Sequence, residues 1–121
     1  MIIYMGNNDA LVQNLNTVNF EKSYRNMLNN LYTLYPNIQL FLGTLSYEKY
    51  FVGKDYYEEH VLVTAEVNRI IQSLANEYNL PIIDFATAYS DSSYLFDTIH
   101  PNVLGMKALA NVAIDAISKF Y

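Results

Sequence analysis

Apolar and polar residues fall in blocks along this chain, and the blocks indicate strands and helices in turn. Ile2 to Met5 is a short, unbroken apolar run that stops at Gly6, which is typical of a strand buried on both faces. Ile38 to Leu42 and the mainly apolar Pro81 to Phe85 have the same character. We therefore predict three strands, one at each of these runs.

After each of these runs, apolar residues recur at spacings of three and four, which predicts three amphipathic helices. The first covers about residues 18 to 35, the second contains Val63 to Tyr78, and the third begins after Pro101 and Asn102. The apolar faces are Phe20, Tyr24, Met27, Leu28 and Leu31; then Val63, Val67, Ile70, Ile71, Leu74 and Tyr78; then Met106, Leu109, Ala110, Ala113, Ile117 and Phe120. The order βαβαβα predicts an α/β fold, with a parallel sheet and helices on its faces.

Composition limits what this fold could do. A chain of 121 residues is expected to form a single domain, residues 1–121, and 52% hydrophobic with 16% charged residues is typical of a globular protein. No apolar run approaches the ~20 residues that a membrane span needs. The net charge of −5, with no basic cluster, argues against nucleic acid as a partner.

Cysteine is absent, which excludes thiolate catalysis, cysteine-zinc sites and disulfides. It leaves the cellular compartment open. The first residues carry no basic region and run quickly into Asn and Asp, so we expect no signal peptide in this sequence.

Ligands of such sheets bind beyond the carboxyl ends of the strands. Here three segments follow the strands: Gly6 to Asp9, Gly43 to about His60, and Asp84 to His100. The last of them contains Asp97 and His100, whose spacing lets the carboxylate reach Nδ1 and leaves Nε2 free as a general base. The alternative is an Asp or Asn that caps the following helix, with the His packed beside it. In the first segment Asn8 offers an amide donor suited to an oxyanion, and the alternative is a simple Gly-Asn turn, the commonest reason for such residues.

Together, two blocks resemble the SGNH (GDSL-like) ester hydrolases. Gly6 to Asp9 after a strand is similar to the family's Gly-x-Asn-Asp block, and Asp97 to His100, followed by Pro101, Asn102 and Gly105, is similar to its final Asp-x-x-His block. The resemblance extends over residues 1 to 121. It also includes the Pro-Asn-Ile segment before the second strand, Asn68 in the long helix, and the segment from Leu80 to Phe85.

The resemblance implies a three-layer α/β/α, flavodoxin-like fold and hydrolysis of a small-molecule ester, without a cofactor or metal. It implies that His100 is the catalytic base, Asp97 its orienting acid and Asn8 an oxyanion donor. Gly6 and Asp9 are expected to shape this site, Asp9 by hydrogen-bonding backbone amides of the turn. The acyl and alcohol parts of the substrate stay open, and acetylated sugars, lysophospholipids and short acyl esters all fit.

The sequence departs from the family pattern in two respects, because it contains neither the Gly-Asp-Ser nucleophile block nor the Gly donor that follows the family's second strand. It resembles the C-terminal portion of the family domain, starting at the third strand. Ser46 and the group Ser90, Ser92 and Ser93 are internal alternatives, but we expect none of them to replace the nucleophile. Because loss of a triad serine costs roughly a million-fold in rate, this chain alone is expected to be nearly inert.

A start at the family's third strand would leave Ile2 to Met5 as an unprotected apolar edge, which recruits other strands. We therefore expect self-association, or docking of an N-terminal segment, along this edge. Two other classes stay open: a non-catalytic binding or assembly module that keeps the pocket, and an unrelated α/β domain. Phosphate-loop and dinucleotide fingerprints are absent from the sequence.

Three further features have competing interpretations. The aromatic stretch from Tyr47 to Tyr57 suits a lid over the site or an ordinary packed loop. His60 stands beside two glutamates and is expected on a solvated helix face. Asp84, Asp91 and His100 could hold a metal, although their spacing does not require one.

Overall fold

Three parallel strands form the centre of the fold, in the spatial order β1 (Ile2–Ile3), β2 (Phe41–Gly43) and β3 (Ile82–Ile83). The computed structural model describes residues 1–11, 14–46, 57–89, 91–97 and 100–121. Ile2 pairs with Phe41, and Leu42 pairs with Ile82. Each strand is shorter than its apolar run predicts, but the parallel sheet is confirmed.

Four helices connect and follow the strands in the described part of the chain. They are α1 (Asn7–Ala10), α2 (Thr17–Leu34), α3 (Tyr57–Glu77) and α4 (Val103–Ser118), and two 3-10 turns lie at Phe85–Thr87 and Ser92–Tyr94. The three long helices match the predicted ones. The segment from Gly6 to Asp9, predicted as a loop, instead enters the short helix α1.

The sheet is covered on both faces, which confirms the three-layer α/β/α prediction. Adjacent strand residues point to opposite faces, so Leu42 packs with α2 and α3 while Phe41 packs with α4. On the first face the helix residues are fully buried, among them Leu28, Val67 and Leu74. This face holds the larger part of the core and fixes the carboxyl ends of β1 and β2.

Helix α4 is rotated relative to the predicted stripe. The residues that pack on the sheet are Leu109, Val112, Ala113, Ala116 and Ile117. Met106 and Ala110, predicted to face the core, are exposed, while Phe120 is half-exposed and packs its ring on Phe41 with centroids 5.4 Å apart. The reason lies at Gly105, where an added Cβ would approach the Pro101 Cβ to 2.8 Å and would also meet the Tyr94 carbonyl oxygen. Because this side of the helix must face the preceding loop, Met106 turns outwards.

In the described ranges, no helix has the length and hydropathy needed to cross a bilayer.

The free edge of β1 carries exposed apolar side chains, Ile2 at 41% and Met5 at 56%. Within the described residues, β1 has a strand partner only on the β2 side.

Candidate active site

The loop that carries His100 is closed by backbone hydrogen bonds before α4 begins. Leu95 and Pro101 form an isolated antiparallel bridge, and the Phe96 N–H donates to the His100 carbonyl at 3.0 Å. The Asn102 N–H donates to the Tyr94 carbonyl at 2.9 Å. These contacts hold His100 beside Phe96, directly before the bridge residue Pro101.

Asn102 joins this loop to the start of α4 with its side chain. Its Oδ1 caps the helix by accepting from the N–H groups of Leu104 at 2.9 Å and Gly105 at 3.1 Å. Its Nδ2 donates back to the carbonyls of Ser93 at 2.7 Å and Leu95 at 3.3 Å. One carboxamide therefore ties the helix end to both sides of the loop.

The Asp97 carboxylate contacts His100 twice. Its Oδ1 accepts from the His100 backbone N–H at 2.6 Å, and its Oδ2 lies 2.7 Å from Nδ1 of the ring. The Phe96 ring stacks against the imidazole, with centroids 5.7 Å apart. Of the capping alternative, the Asn part holds, because Asn102 caps α4, while Asp97 bonds to His100 instead. The side chain of His100 is 65% exposed, so its ring is accessible.

Helix α1 presents Asn8 directly after β1. Gly6, with φ of +121°, makes the sharp turn that any residue with a Cβ would enter with strain. The Ala10 N–H then donates to the Gly6 carbonyl at 2.8 Å, and the Ala10 carbonyl lies 2.9 Å from Nδ1 of His60. Asn8 is exposed on this anchored turn.

His60 is buried, so the prediction of a solvated helix face is wrong. Its ring reaches from α3 to the last residue of α1 and holds that short helix in place. The sequence offers no sign of this contact, since the two residues are 50 positions apart.

One cavity of about 190 Å³ brings together two of the predicted site residues, Asn8 and His100. Its polar lining comes from Tyr4, Asn7, Asn8, Ser46, Tyr89 and His100. Leu11, Pro101 and Leu109 supply the apolar lining. Asn8 and His100, 92 positions apart in the numbering, therefore border the same space at the carboxyl edge of the sheet.

Three hydroxyl groups meet in this cavity. The Tyr89 hydroxyl donates to Ser46 Oγ at 3.1 Å, and the Tyr4 hydroxyl lies 3.2 Å from the same oxygen. Ser46 is 7% exposed. Tyr4 and Tyr89 were not among the predicted site residues, because sequence spacing gives no indication that they converge on Ser46.

Asn68 fixes the end of the segment that carries Ser46. Its buried carboxamide accepts from the Leu45 N–H at 2.6 Å and donates to the Leu45 carbonyl at 2.9 Å. Both backbone groups of Leu45 are therefore satisfied by one side chain of α3. Beyond the end of β2, the Asn68 side chain supplies the hydrogen-bond partners that a neighbouring strand supplies within the sheet.

The remaining serine candidates lie elsewhere. Ser93 bonds to Asp91 through its backbone N–H at 2.8 Å and through its hydroxyl, and Ser92 is exposed in the same 3-10 turn. Neither lines the cavity with His100. Ser90 and the aromatic stretch at 47–56, with its proposed lid, lie outside the described residues.

Asp9 does not form the predicted hydrogen bonds within the described part of the chain. It is exposed and borders a second cavity of about 350 Å³ with Gly6, Phe20 and Tyr24. Burial raises the pKa of Tyr24 to about 12. Gly6 thus borders the second cavity, while Asn7 and Asn8 border the one that contains His100.

The suggested metal ligands do not converge. Asp84 accepts from the Thr44 hydroxyl at 2.9 Å and from the Thr87 hydroxyl at 3.1 Å, which ties the end of β3 to β2. Among the residues that the structure describes, no group of three metal-ligating side chains is present.

Comparison with known proteins gives a consistent family match. The sequence profile of the GDSL-like Lipase/Acylhydrolase family matches residues 1–108. No curated protein sequence matches the chain.

Solved structures share the fold at low sequence identity. A catalytic mutant of the acetylxylan esterase Axe2 from Geobacillus stearothermophilus is 19% identical, with a TM-score of 0.78 over 96% of this chain and 57% of that chain. A GDSL-like lipase from Bacteroides thetaiotaomicron is 16% identical, with a TM-score of 0.79 over 99% and 62%. The family 3 carbohydrate esterase of Clostridium thermocellum is 21% identical, with a TM-score of 0.68 over 98% of this chain and 55% of that chain. The chain therefore spans less than two thirds of each of these three proteins.

Proposed function

Because the chain belongs to the GDSL-like lipase/acylhydrolase family, we propose that it supplies the base and oxyanion part of an ester-hydrolase site. The observation that carries the proposal is the cavity shared by Asn8 and His100, with Asp97 bonded to the imidazole. The substrate is a small-molecule ester. Water cleaves it to a carboxylic acid and an alcohol.

In the proposed mechanism His100 moves the proton, and Asp97 orients the imidazole ring. Nδ1–H donates to the Asp97 carboxylate, which leaves the Nε2 lone pair to take the proton of a serine hydroxyl as its oxygen attacks the ester carbonyl. The Asn8 amide donates to the oxyanion that forms. The imidazolium then protonates the departing alkoxide, and a water molecule, activated in the same way, releases the acid and regenerates the serine.

The attacking serine in this proposal lies on a Gly-Asp-Ser segment that adds as a strand to the free edge of β1. The exposed apolar residues Ile2 and Met5 at that edge, and the absence of a charge or proline there, support strand addition. The structural neighbours are longer than this chain, which covers 57%, 62% and 55% of the three compared above. In the isolated chain a second copy would take the same edge.

A second candidate is a binding module that keeps the pocket without catalysis. It is favoured by one observation, which is that the 121 residues contain no Gly-Asp-Ser sequence. Under this alternative the cavity would bind an ester or its product and release it unchanged.

Hydrolysis of p-nitrophenyl acetate tests the proposal. We expect turnover by the protein translated from the whole reading frame that contains this sequence, and loss of roughly a million-fold in His100→Ala. Because His100 is exposed, this variant should melt at the same temperature as the wild type. Unchanged turnover in His100→Ala would remove the residue from the mechanism.

The 121-residue chain by itself should give no turnover above buffer, and a fluorophosphonate probe should add no mass to it. Labelling of an internal serine would contradict the external nucleophile. A reading frame that encodes no Gly-Asp-Ser block would favour the binding module.

A further inference from the structure

The hydroxyl cluster around Ser46 has more donors than it uses. Tyr4, Ser46 and Tyr89 each carry one O–H hydrogen and join through two hydrogen bonds. The Tyr89 hydroxyl donates its hydrogen to Ser46 Oγ. The second bond uses the hydrogen of either Tyr4 or Ser46. Whichever of these two acts as donor, the hydrogen of the other is not used within the cluster.

This surplus donor faces the cavity that contains His100. Both Tyr4 and Ser46 line that cavity, and in the part of the chain that the structure describes neither makes another side-chain hydrogen bond. A hydroxyl oxygen also keeps lone pairs that accept hydrogen bonds. The cluster can therefore donate to and accept from the same ligand group, which is what recognition of an alcohol hydroxyl requires.

The cluster is also held rigidly. The Tyr4 ring packs on Phe85 with centroids 4.6 Å apart, and the Tyr89 ring stacks on Tyr94 at 5.8 Å. Ser46 follows Leu45, whose backbone is clamped by Asn68. A ligand would meet donors that are already oriented, so little side-chain entropy is lost on binding.

The charge of the cavity narrows the ligand class. Of the described lining residues, none is Lys or Arg, and the lining consists of amide, hydroxyl, imidazole and aliphatic groups. Such a lining offers no Lys or Arg cation to pair with a phosphate group. A volume of about 190 Å³ is also smaller than the ~300 Å³ at which drug-sized ligand pockets begin. The cavity suits a small, neutral, hydroxylated group.

We propose that Ser46, held between Tyr4 and Tyr89, is a specificity-determining residue that hydrogen-bonds a free hydroxyl on the alcohol part of the ester. The inference rests on the proposed function and narrows its substrate class to short acyl esters of polyols. Acyl transfer takes place on the Asn8 and His100 side of the cavity, and the alcohol is recognised on the Ser46 side.

Two esters that differ only in the hydroxyls provide the test. Glycerol 1-monoacetate and propyl acetate share an acetyl group and a three-carbon alcohol. Binding of each to the 15N-labelled chain is followed by the amide shifts of residues around the cavity. We expect glycerol 1-monoacetate to bind about fivefold more tightly, the value of one neutral hydrogen bond, and Ser46→Ala to abolish the difference.

Three variants separate recognition from structure. Tyr4→Phe removes one hydroxyl of the cluster and keeps the ring, so it should also reduce the preference. Ser73→Ala changes an exposed serine on α3 and should leave both affinities unaltered. Equal weakening of both esters in Ser46→Ala, or equal affinities in the wild type, would overturn the inference.

This readout does not require turnover, so it separates the inference from the proposed function. If the translated whole reading frame hydrolyses neither ester while the binding preference and its loss in Ser46→Ala are observed, the hydrolase proposal fails and the recognition site stands. If hydrolysis occurs without a preference that depends on Ser46, the recognition site fails and the hydrolase proposal stands.

Discussion

The Asp97 carboxylate bonds to His100 at two atoms, the backbone N–H and the ring Nδ1, at 2.6 and 2.7 Å. Because the same carboxylate binds both main chain and side chain, the ring orientation is coupled to the turn that carries it. A carboxylate that bound only the ring would not couple the ring orientation to the backbone of the loop.

This coupling predicts the tautomer of His100. With Asp97 accepting at Nδ1, the neutral ring should carry its proton on Nδ1, and Asp97→Ala should shift the population towards Nε2–H. Imidazole 15N shifts of the neutral ring measure the two forms. Asp115→Ala, at an exposed position on α4, is the matched control. An Nε2–H ring in the wild type would contradict the proposed role of Asp97.

Asn102 should be the main stabilising side chain of the loop that carries His100. Asn102→Ala removes the cap of α4 and both donors to the loop, and we expect a loss of about 2 kcal/mol in the free energy of unfolding. Asn102→Asp keeps the capping oxygen and loses the Nδ2 donors to Ser93 and Leu95, so its loss should be smaller. Urea denaturation measures both values. Equal losses in the two variants would show that the cap contributes nothing.

The pattern of apolar residues predicted the strands, the long helices and the layer order, because burial on a face imposes a fixed period. It did not predict where α4 faces. That orientation depends on Gly105 packing against the loop before it, which is a contact between two segments rather than a property of the helix.

For the site, the sequence placed Asn8, Asp97 and His100 at one edge, because carboxyl ends of parallel strands share an edge. It could not place Tyr4, Ser46 and Tyr89 together. Their contact depends on side-chain rotamers and on the meeting of segments that lie more than forty positions apart in the sequence. His60 was misassigned for the same reason, since its glutamate neighbours indicate exposure while its ring bonds to Ala10.

Asn68 should be required for the position of Ser46. Asn68→Asp keeps an acceptor for the Leu45 N–H but loses the donor to the Leu45 carbonyl and buries a charge, so we expect a loss of about 3 kcal/mol. Asn76→Asp makes the same chemical change at an exposed position on α3 and should have little effect. Thermal unfolding of the two variants measures the difference. If both variants melt together, Asn68 does not hold Leu45 in solution.

The free edge of β1 should cause the isolated chain to self-associate. Two copies related by a two-fold axis would pair their β1 edges antiparallel and extend the three-stranded sheet to six strands. Ile2→Lys places a charge on that edge, where natural sheets use lysine to prevent strand addition, and should shift the chain towards monomer. Leu62→Lys makes the same change at a leucine that is 71% exposed on α3, away from the sheet edge, and should leave association unaltered. Light scattering over a concentration series measures the mass of each variant. A wild-type chain that stays monomeric at high concentration would count against recruitment of a strand at this edge, and equal dissociation of both variants would trace the association to another surface.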